Sequence, residues 1–250
     1  MNQNFKNSRR TFLGALATSG IILAGDPVKA IAKDVDRRME DSNTQNDKLI
    51  LGMVVFDKFQ LLDTFGPLEM FGSLKDKVTI VMIGEKQGLV KSSAGPAVAI
   101  DYTFENAPKL DIVMIPGGAG TRTEVNNAHF VDAFKKLAEP APHVASICTG
   151  AAVLAKTGLL DGKNATTNKR AFHWVETQGQ RVSWVKKARW VEDGKYFTSS
   201  GISAGTDMAL ALIAKLFGDD EAVRIANGAE YEWNKDSLHD PFAKLNGLVD

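Results

Sequence analysis

A single cysteine, Cys148, sits in the run His143-Val-Ala-Ser-Ile-Cys148-Thr149-Gly150-Ala-Ala-Val-Leu-Ala155. A short apolar stretch precedes it and small residues with helical periodicity follow, so the spacing predicts a tight strand-to-helix turn with the sulfur at its apex. Such a turn lifts a nucleophile off a sheet, and the helix behind it presents free N–H groups and a positive dipole end. That environment favours thiolate over thiol. A thiolate also needs a partner to move protons, and a carboxylate can serve. Asp63, which follows another apolar stretch, is the candidate. Backbone N–H groups at Gly117, Gly118 and Thr149 would hold developing negative charge.

Each of these residues also has a plainer role open to it. Cys148 would serve as a small buried hydrophobe, Asp63 as a helix cap and Gly117-Gly118 as a turn. Thr149 would only start a helix. Ser203 and Asp207 are read as helix caps. His129 and His239 are expected to be exposed, His143 to start a strand and His173 to lie in a helix beside Trp174. None of the four has a partner at metal-ligand spacing, so no metal site is expected. Gly117-Gly118-Ala119-Gly120 lacks the spacing of a dinucleotide or phosphate loop.

These residues must be positioned by alternating strands and helices. Near-continuous aliphatic runs at 49–56, 78–83, 111–115 and 143–147 read as strands buried on both faces, with shorter strands at 163–167 and 195–199. Helical patterns cover 61–71, 130–137, 170–178, 201–217 and 220–233. Pro67 is read as lying early in its helix, where the missing N–H costs little. Gly95-Pro96 marks a small hairpin or an irregular excursion, and segments 181–191 and 195–199 flank Asp193-Gly194, a hairpin signal. The pattern predicts an α/β three-layer sandwich with a mostly parallel central sheet, and places the chemistry beyond the carboxyl ends of its strands.

The chain has 250 residues, 44% of them hydrophobic and 24% charged, which is ordinary for a globular protein. Thirty basic and thirty acidic residues cancel, so composition gives no reason to invoke nucleic acid or an anionic membrane. Ser8-Arg9-Arg10-Thr11-Phe12-Leu13, a modest apolar stretch and Val28-Lys29-Ala30 read as a twin-arginine signal over residues 1–30. Export to the periplasm, cleavage after Ala30 and no lasting membrane association are expected. Residues 31–47 read as a flexible linker, 48–235 as the folded domain and 236–250 as a C-terminal tail. With one cysteine no internal disulfide can form, so a free thiol in an oxidising compartment calls for burial or chemistry to explain it.

The motifs Leu62-Asp63-Thr64-Phe65-Gly66-Pro67-Leu68-Glu69, Ile115-Pro116-Gly117-Gly118, Ser146-Ile147-Cys148-Thr149-Gly150, Ala165-Thr166-Thr167 and Gly201-Ile202-Ser203-Ala204-Gly205-Thr206-Asp207 occur in order. Together they resemble the ThiJ/PfpI superfamily, of the class I glutamine-amidotransferase-like, flavodoxin-like fold, over about residues 48–235. Within it the pattern is most similar to the isonitrile hydratases. That resemblance implies addition of water to a small isonitrile, giving an N-substituted formamide, without a cofactor. It implies a nucleophile at Cys148, an essential carboxyl at Asp63 and an assisting Thr149, and it puts Asn168, Ile202 and Ser203 on the pocket wall. It also implies a homodimer.

The chain departs from its relatives in places. Peptidase members have His directly after the cysteine, where this chain has Thr149, which disfavours a Cys-His peptidase. Many relatives have His where Asn168 stands, so one candidate base is missing. Deglycase-type relatives commonly use Glu where this chain has Asp63. Some members carry a helix-turn-helix module, for which no room is expected after Trp233. The alternatives are a non-catalytic small-molecule-binding or thiol-redox sensing protein, or an enzyme acting on another small carbonyl-type substrate.

Overall fold

The computed structural model describes residues 48–250. The twin-arginine segment 1–30 and the linker 31–47, and with them the expectation of export, lie outside the described residues. In chain order, β1 (Leu49–Val54) leads through α1 (Leu61–Gly72) to β2 (Val78–Gly84), the hairpin of β3 (Leu89–Lys91) and β4 (Ala97–Ala99), and β5 (Tyr102–Thr103). Then come β6 (Ile112–Ile115), α2 (Thr121–Glu124), α3 (Ala128–Ala138), β7 (His143–Ile147) and α4 (Gly150–Lys156). The rest is β8 (Asn164–Ala165), α5 (Phe172–Glu176), β9 (Ser183–Trp184), β10 (Trp190–Asp193), β11 (Tyr196–Ser199), α6 (Ala204–Phe217), α7 (Asp219–Gly228) and α8 (Phe242–Leu245).

The central sheet has the order β10-β11-β7-β6-β1-β2-β5, antiparallel only between β10 and β11. Its middle strands are the aliphatic runs. Every residue of β6 is buried, as an apolar strand covered by helices on both faces requires. One helical layer contains α1, α6 and α7, and the other contains α2, α3 and α4. Helix α3 shows why such segments dock. Asn127 caps it by accepting the Phe130 amide at 3.2 Å, and Phe130, Phe134 and Ala138 recur at i, i+4, i+8 as a buried stripe. Burial of each phenylalanine contributes about 2–3 kcal/mol.

Parallel register decides where the chemistry collects. Met53 pairs with Met114, Ile115 with Ser146 and Ile147 with Ser199, so β1, β6, β7 and β11 end along one rim. The chain reverses its direction of winding between β1 and β6, and the crevice at that switch point is where such folds place ligands.

Four local expectations change. Pro67 is the seventh residue of α1 and lies inside the helix rather than in its first turn. The strand expected over 163–167 shortens to Asn164–Ala165 and pairs with β9 outside the main sheet. The helix expected to reach Trp233 ends at Gly228, after which Glu230 adopts a φ of 49°. That turn lets Asp207 take the Tyr231 hydroxyl at 3.0 Å and the Asn234 amide at 2.9 Å.

Residues 236–250 are also no loose tail. The Ser237 carbonyl accepts the Arg189 amide at 2.8 Å, Asp240 N–H donates to the Lys187 carbonyl at 2.8 Å, and Ala243 and Leu248 are buried. The domain therefore continues past residue 235 through α8. Its last segment carries no long periodic pattern because isolated anchors hold it, not a continuous apolar face.

Candidate active site

Cys148 follows β7 directly and has a φ of 55°. This left-handed conformation costs a residue with a side chain about 1–3 kcal/mol. The surroundings hold it in place. Its amide donates to the Ser199 and Ser200 carbonyls at 3.2 and 3.3 Å, and its carbonyl accepts the Thr167 hydroxyl at 2.8 Å. Gly150, two residues on, lies so close to β6 that a Cβ there would fall 2.5 Å from the Ile115 carbonyl oxygen. The elbow anticipated from sequence is formed, and its sulfur is nearly enclosed, with the residue 6% exposed.

Asp63 lies in the first turn of α1 without capping it, since Gln60 holds the N-cap position. Its carboxyl turns inward and is fully buried. Oδ2 accepts the Gly117 amide at 2.9 Å. Oδ1 has no conventional hydrogen-bond partner, and the remaining group against the carboxyl is the Cys148 thiol. Burial raises the Asp63 pKa to about 7, although the Gly117 amide and the thiol pull it down. Desolvation also pushes Cys148 well above the usual thiol range, with the Asp63 charge adding to it. The Thr149 amide and the Asn168 side chain oppose that shift without cancelling it. The expected resting thiolate is therefore replaced by a protonated thiol beside a carboxyl that titrates near neutrality, because desolvation outweighs the helix end.

Thr149 begins α4, but its hydroxyl does not cap that helix. It accepts the Gly118 amide at 3.1 Å and meets the Thr121 hydroxyl at 3.1 Å. Thr149 thus ties the β6 turn to the β7 turn. The turn is tight enough that a Cβ on Gly117 would lie 2.6 Å from the Thr149 amide nitrogen and 2.9 Å from Asp63 Oδ2. Gly118 has a φ of 127°, a conformation that side chains rarely adopt. Of the three amides expected to hold negative charge, Gly117 is engaged by Asp63 and Gly118 by Thr149. The Thr149 amide faces the sulfur.

The Asn168 side chain also hydrogen-bonds the sulfur, with its Oδ1 fixed by the Ala171 amide at 3.0 Å. Asn168, Ile202 and Ser203 share an open cleft of ≈ 470 Å³ with Leu62 and Gly201. Ser203 holds the N-cap position of α6 without a side-chain capping bond, and Asp207 lies in the first turn of that helix as the buried partner of Arg189, at 2.7 Å. The sequence reading gave no role to Gly201 or Thr121. A Cβ on Gly201 would lie 2.9 Å from Sγ and collide with Asn168, so Gly201 shapes the approach to the thiol. It stands within a recognisable motif, but a glycine carries no chemical signal of its own.

The histidines lie elsewhere. His129 and His173 are exposed beside Glu85 and Glu176, His239 is exposed, and His143 begins β7. Among the described residues no group of three His, Cys, Asp or Glu side chains is placed to hold a metal ion. Nor is any described helix long and apolar enough to cross a membrane.

Sheet order, elbow and buried carboxyl define a class of α/β protein that presents a cysteine on a strand-to-helix turn against an acid from its first helix. Residues 50–215 match the model of the DJ-1/PfpI family, and the chain belongs to that family. It is 37% identical to an isonitrile hydratase of Pseudomonas putida, over 73% of this chain and 78% of that one. It is 28% identical to the HTH-type transcriptional regulator GbdR of Pseudomonas aeruginosa, over 73% of this chain but only 50% of the regulator. Among solved structures, a ThiJ/PfpI family protein from Pseudomonas syringae superposes with a TM-score of 0.69 at 28% identity, covering 75% of this chain and 76% of that one.

Proposed function

We propose that this protein is a cysteine-dependent hydro-lyase of the isonitrile hydratase type, which adds water to a small neutral isonitrile. The supporting observation is the Asp63–Cys148 pair, in which a protonated thiol meets a buried carboxyl with a pKa of about 7. An acid–base group poised near the working pH transfers protons most effectively.

The chemistry follows from that pair. Ionised Asp63 takes the thiol proton as sulfur bonds to the terminal isonitrile carbon, and negative charge develops on that carbon rather than on an oxygen. Protonated Asp63 then delivers the proton to the same carbon, giving a thioimidate. This step needs an adjacent acid and no oxyanion hole, which suits a site where the Gly117 and Gly118 amides are already engaged. Acyl transfer to an amide or ester would require those amides. Water next adds across the carbon–nitrogen double bond, its oxygen to carbon and a proton to nitrogen. The carbon–sulfur bond then breaks, the hydroxyl proton returns to sulfur through Asp63, and the N-substituted formamide leaves. One isonitrile and one water are consumed, and the thiol is regenerated.

The same reading makes the protein a homodimer acting outside the cytoplasm, as the family resemblance and the twin-arginine segment imply. Incubating the purified protein with cyclohexyl isocyanide at pH 7.5 and following the formyl proton by NMR tests the chemistry. Formamide should appear with the native protein and be lost with Cys148→Ala and Asp63→Asn. Undiminished turnover by Cys148→Ala would end the proposal.

A further inference from the structure

The cleft that reaches Asn168 and Gly201 has a second wall, supplied by the last segment of the chain. Phe242 and Leu245 of α8 line it together with Leu62 and Ile202. All four are large apolar side chains left open to solvent, and Leu245 is 76% exposed. Lone exposed apolar residues need no explanation, but four of them around one concavity mark a binding surface. The α8 wall is fixed in place. Ala243 behind it is fully buried, Asp240 Oδ1 accepts the Phe242 amide at 3.0 Å, and the preceding chain is tied to Arg189 and Lys187.

The chemistry of the cleft narrows what it accepts. None of the side chains lining it is a carboxylate, so a cationic group finds no partner there. Of its two cations, Lys169 holds its ammonium against the Thr166 hydroxyl at 2.7 Å and the Ala188 carbonyl at 2.5 Å, and Arg170 is exposed at the rim. The cleft comes up to the thiol through two of its lining residues, since Asn168 hydrogen-bonds the sulfur and a Cβ on Gly201 would lie 2.9 Å from Sγ. Its ≈ 470 Å³ exceeds what a bare isonitrile carbon and nitrogen would fill. Phe242 and Leu245 lie outside residues 50–215, the part matched to the family.

We infer that Phe242 and Leu245, with Leu62 and Ile202, form a specificity pocket for a bulky neutral hydrocarbon substituent on the substrate. This inference rests on the hydratase reading for the reaction, but not for the pocket itself. A substituent seated there leaves the reactive carbon pointing at Cys148 between Asn168 and Gly201. Selectivity for large apolar substrates is thus set by a segment remote in sequence from the nucleophile.

The test compares kcat/KM for cyclohexyl isocyanide and methyl isocyanide in the native protein, Phe242→Ser, Leu245→Ser and Leu238→Ser. Leu238 is 73% exposed in the same segment but does not line the cleft. The cyclohexyl-to-methyl ratio should fall about tenfold in the first two variants, mainly through KM, and stay unchanged in Leu238→Ser; removing the contact of a buried hydrocarbon group is worth about that factor. A parallel assay measures alkylation of Cys148 by N-cyclohexyl-2-iodoacetamide against iodoacetamide, which requires no turnover. Loss of the cyclohexyl preference in alkylation without any isonitrile hydration would uphold the pocket and remove the reaction. Hydration with a ratio insensitive to Phe242 and Leu245 would overturn the pocket and leave the reaction. A lower sedimentation coefficient for Leu245→Ser with unchanged selectivity would assign these residues to contact between copies, and would also overturn the inference.

Discussion

Asp63 and Cys148 share one buried corner, with the carboxyl fully enclosed and bound by one amide, and the thiol pressed against it with its proton affinity raised. Neither group has solvent to stabilise its charge, so burial raises the proton affinity of both. Coupled titration of this kind belongs to the pair as much as to either residue.

The pH dependence of turnover follows. Asp63 must be ionised to accept the thiol proton, so kcat/KM should rise with pH through about 7. Asp63→Asn should abolish that limb and lower kcat/KM by about 10²–10⁴-fold. A pH–rate profile with cyclohexyl isocyanide checks both, and a limb at the ordinary carboxylate pKa would contradict the burial argument.

Stability should respond in the opposite sense. Because the folded pKa of Asp63 lies above its unfolded value, the fold keeps its proton where the unfolded chain has lost it. Stability is full below about pH 4 and falls as pH rises to about 7. Asp63→Asn can keep the Gly117 bond without the charge. Its stability advantage over the native protein should therefore grow across that window, towards an upper bound on the order of 4 kcal/mol. Urea melts of both proteins at pH 4 and pH 8 measure the difference.

Oxidation should report the state of the thiol. With Cys148 protonated at neutrality, mild peroxide should modify it slowly, and the rate should climb about tenfold per pH unit from 7 to 9 as thiolate appears. Intact-mass kinetics test this. Rapid conversion to the sulfinic acid at pH 6 would favour the redox-sensing alternative.

Thr149→Val keeps the side-chain shape but leaves the Gly118 amide without its acceptor. The expected loss is about 1–3 kcal/mol, with a fall in kcat/KM of roughly ten- to a hundredfold as the Gly117–Gly118 turn shifts beneath Asp63. Thr149→Ser should restore most of both. Undiminished stability and kcat/KM in Thr149→Val would show that the hydroxyl does not hold this turn.

Asp207→Asn leaves the Arg189 guanidinium buried without a counter-charge and weakens the hold on Tyr231 and Asn234. Breaking one side of such a pair costs about 3–5 kcal/mol. Limited proteolysis should then cut after residue 228 well before the central sheet opens. Resistance equal to the native protein would mean that the buried apolar anchors Ala243 and Leu248 alone hold the segment.

Much of this molecule is legible along the chain. Aliphatic runs such as Ile112–Ile115 can only be strands buried on both faces, their alternation with helical patterns imposes a parallel sheet, and a cysteine between His143–Ile147 and a small-residue helix has to sit on the elbow. Those are local consequences of side-chain type and period. The proton affinities of Asp63 and Cys148 are not local. They arise from removal of water by residues far apart in sequence, which reverses the thiolate expected from the helix end alone. The use of the Thr149 hydroxyl, the closeness of Gly201 to Sγ and the return of Phe242–Leu245 to the cleft are likewise decided only when β1, β6, β7 and β11 end on one rim, because packing distances between distant segments leave no mark on either segment's own periodicity.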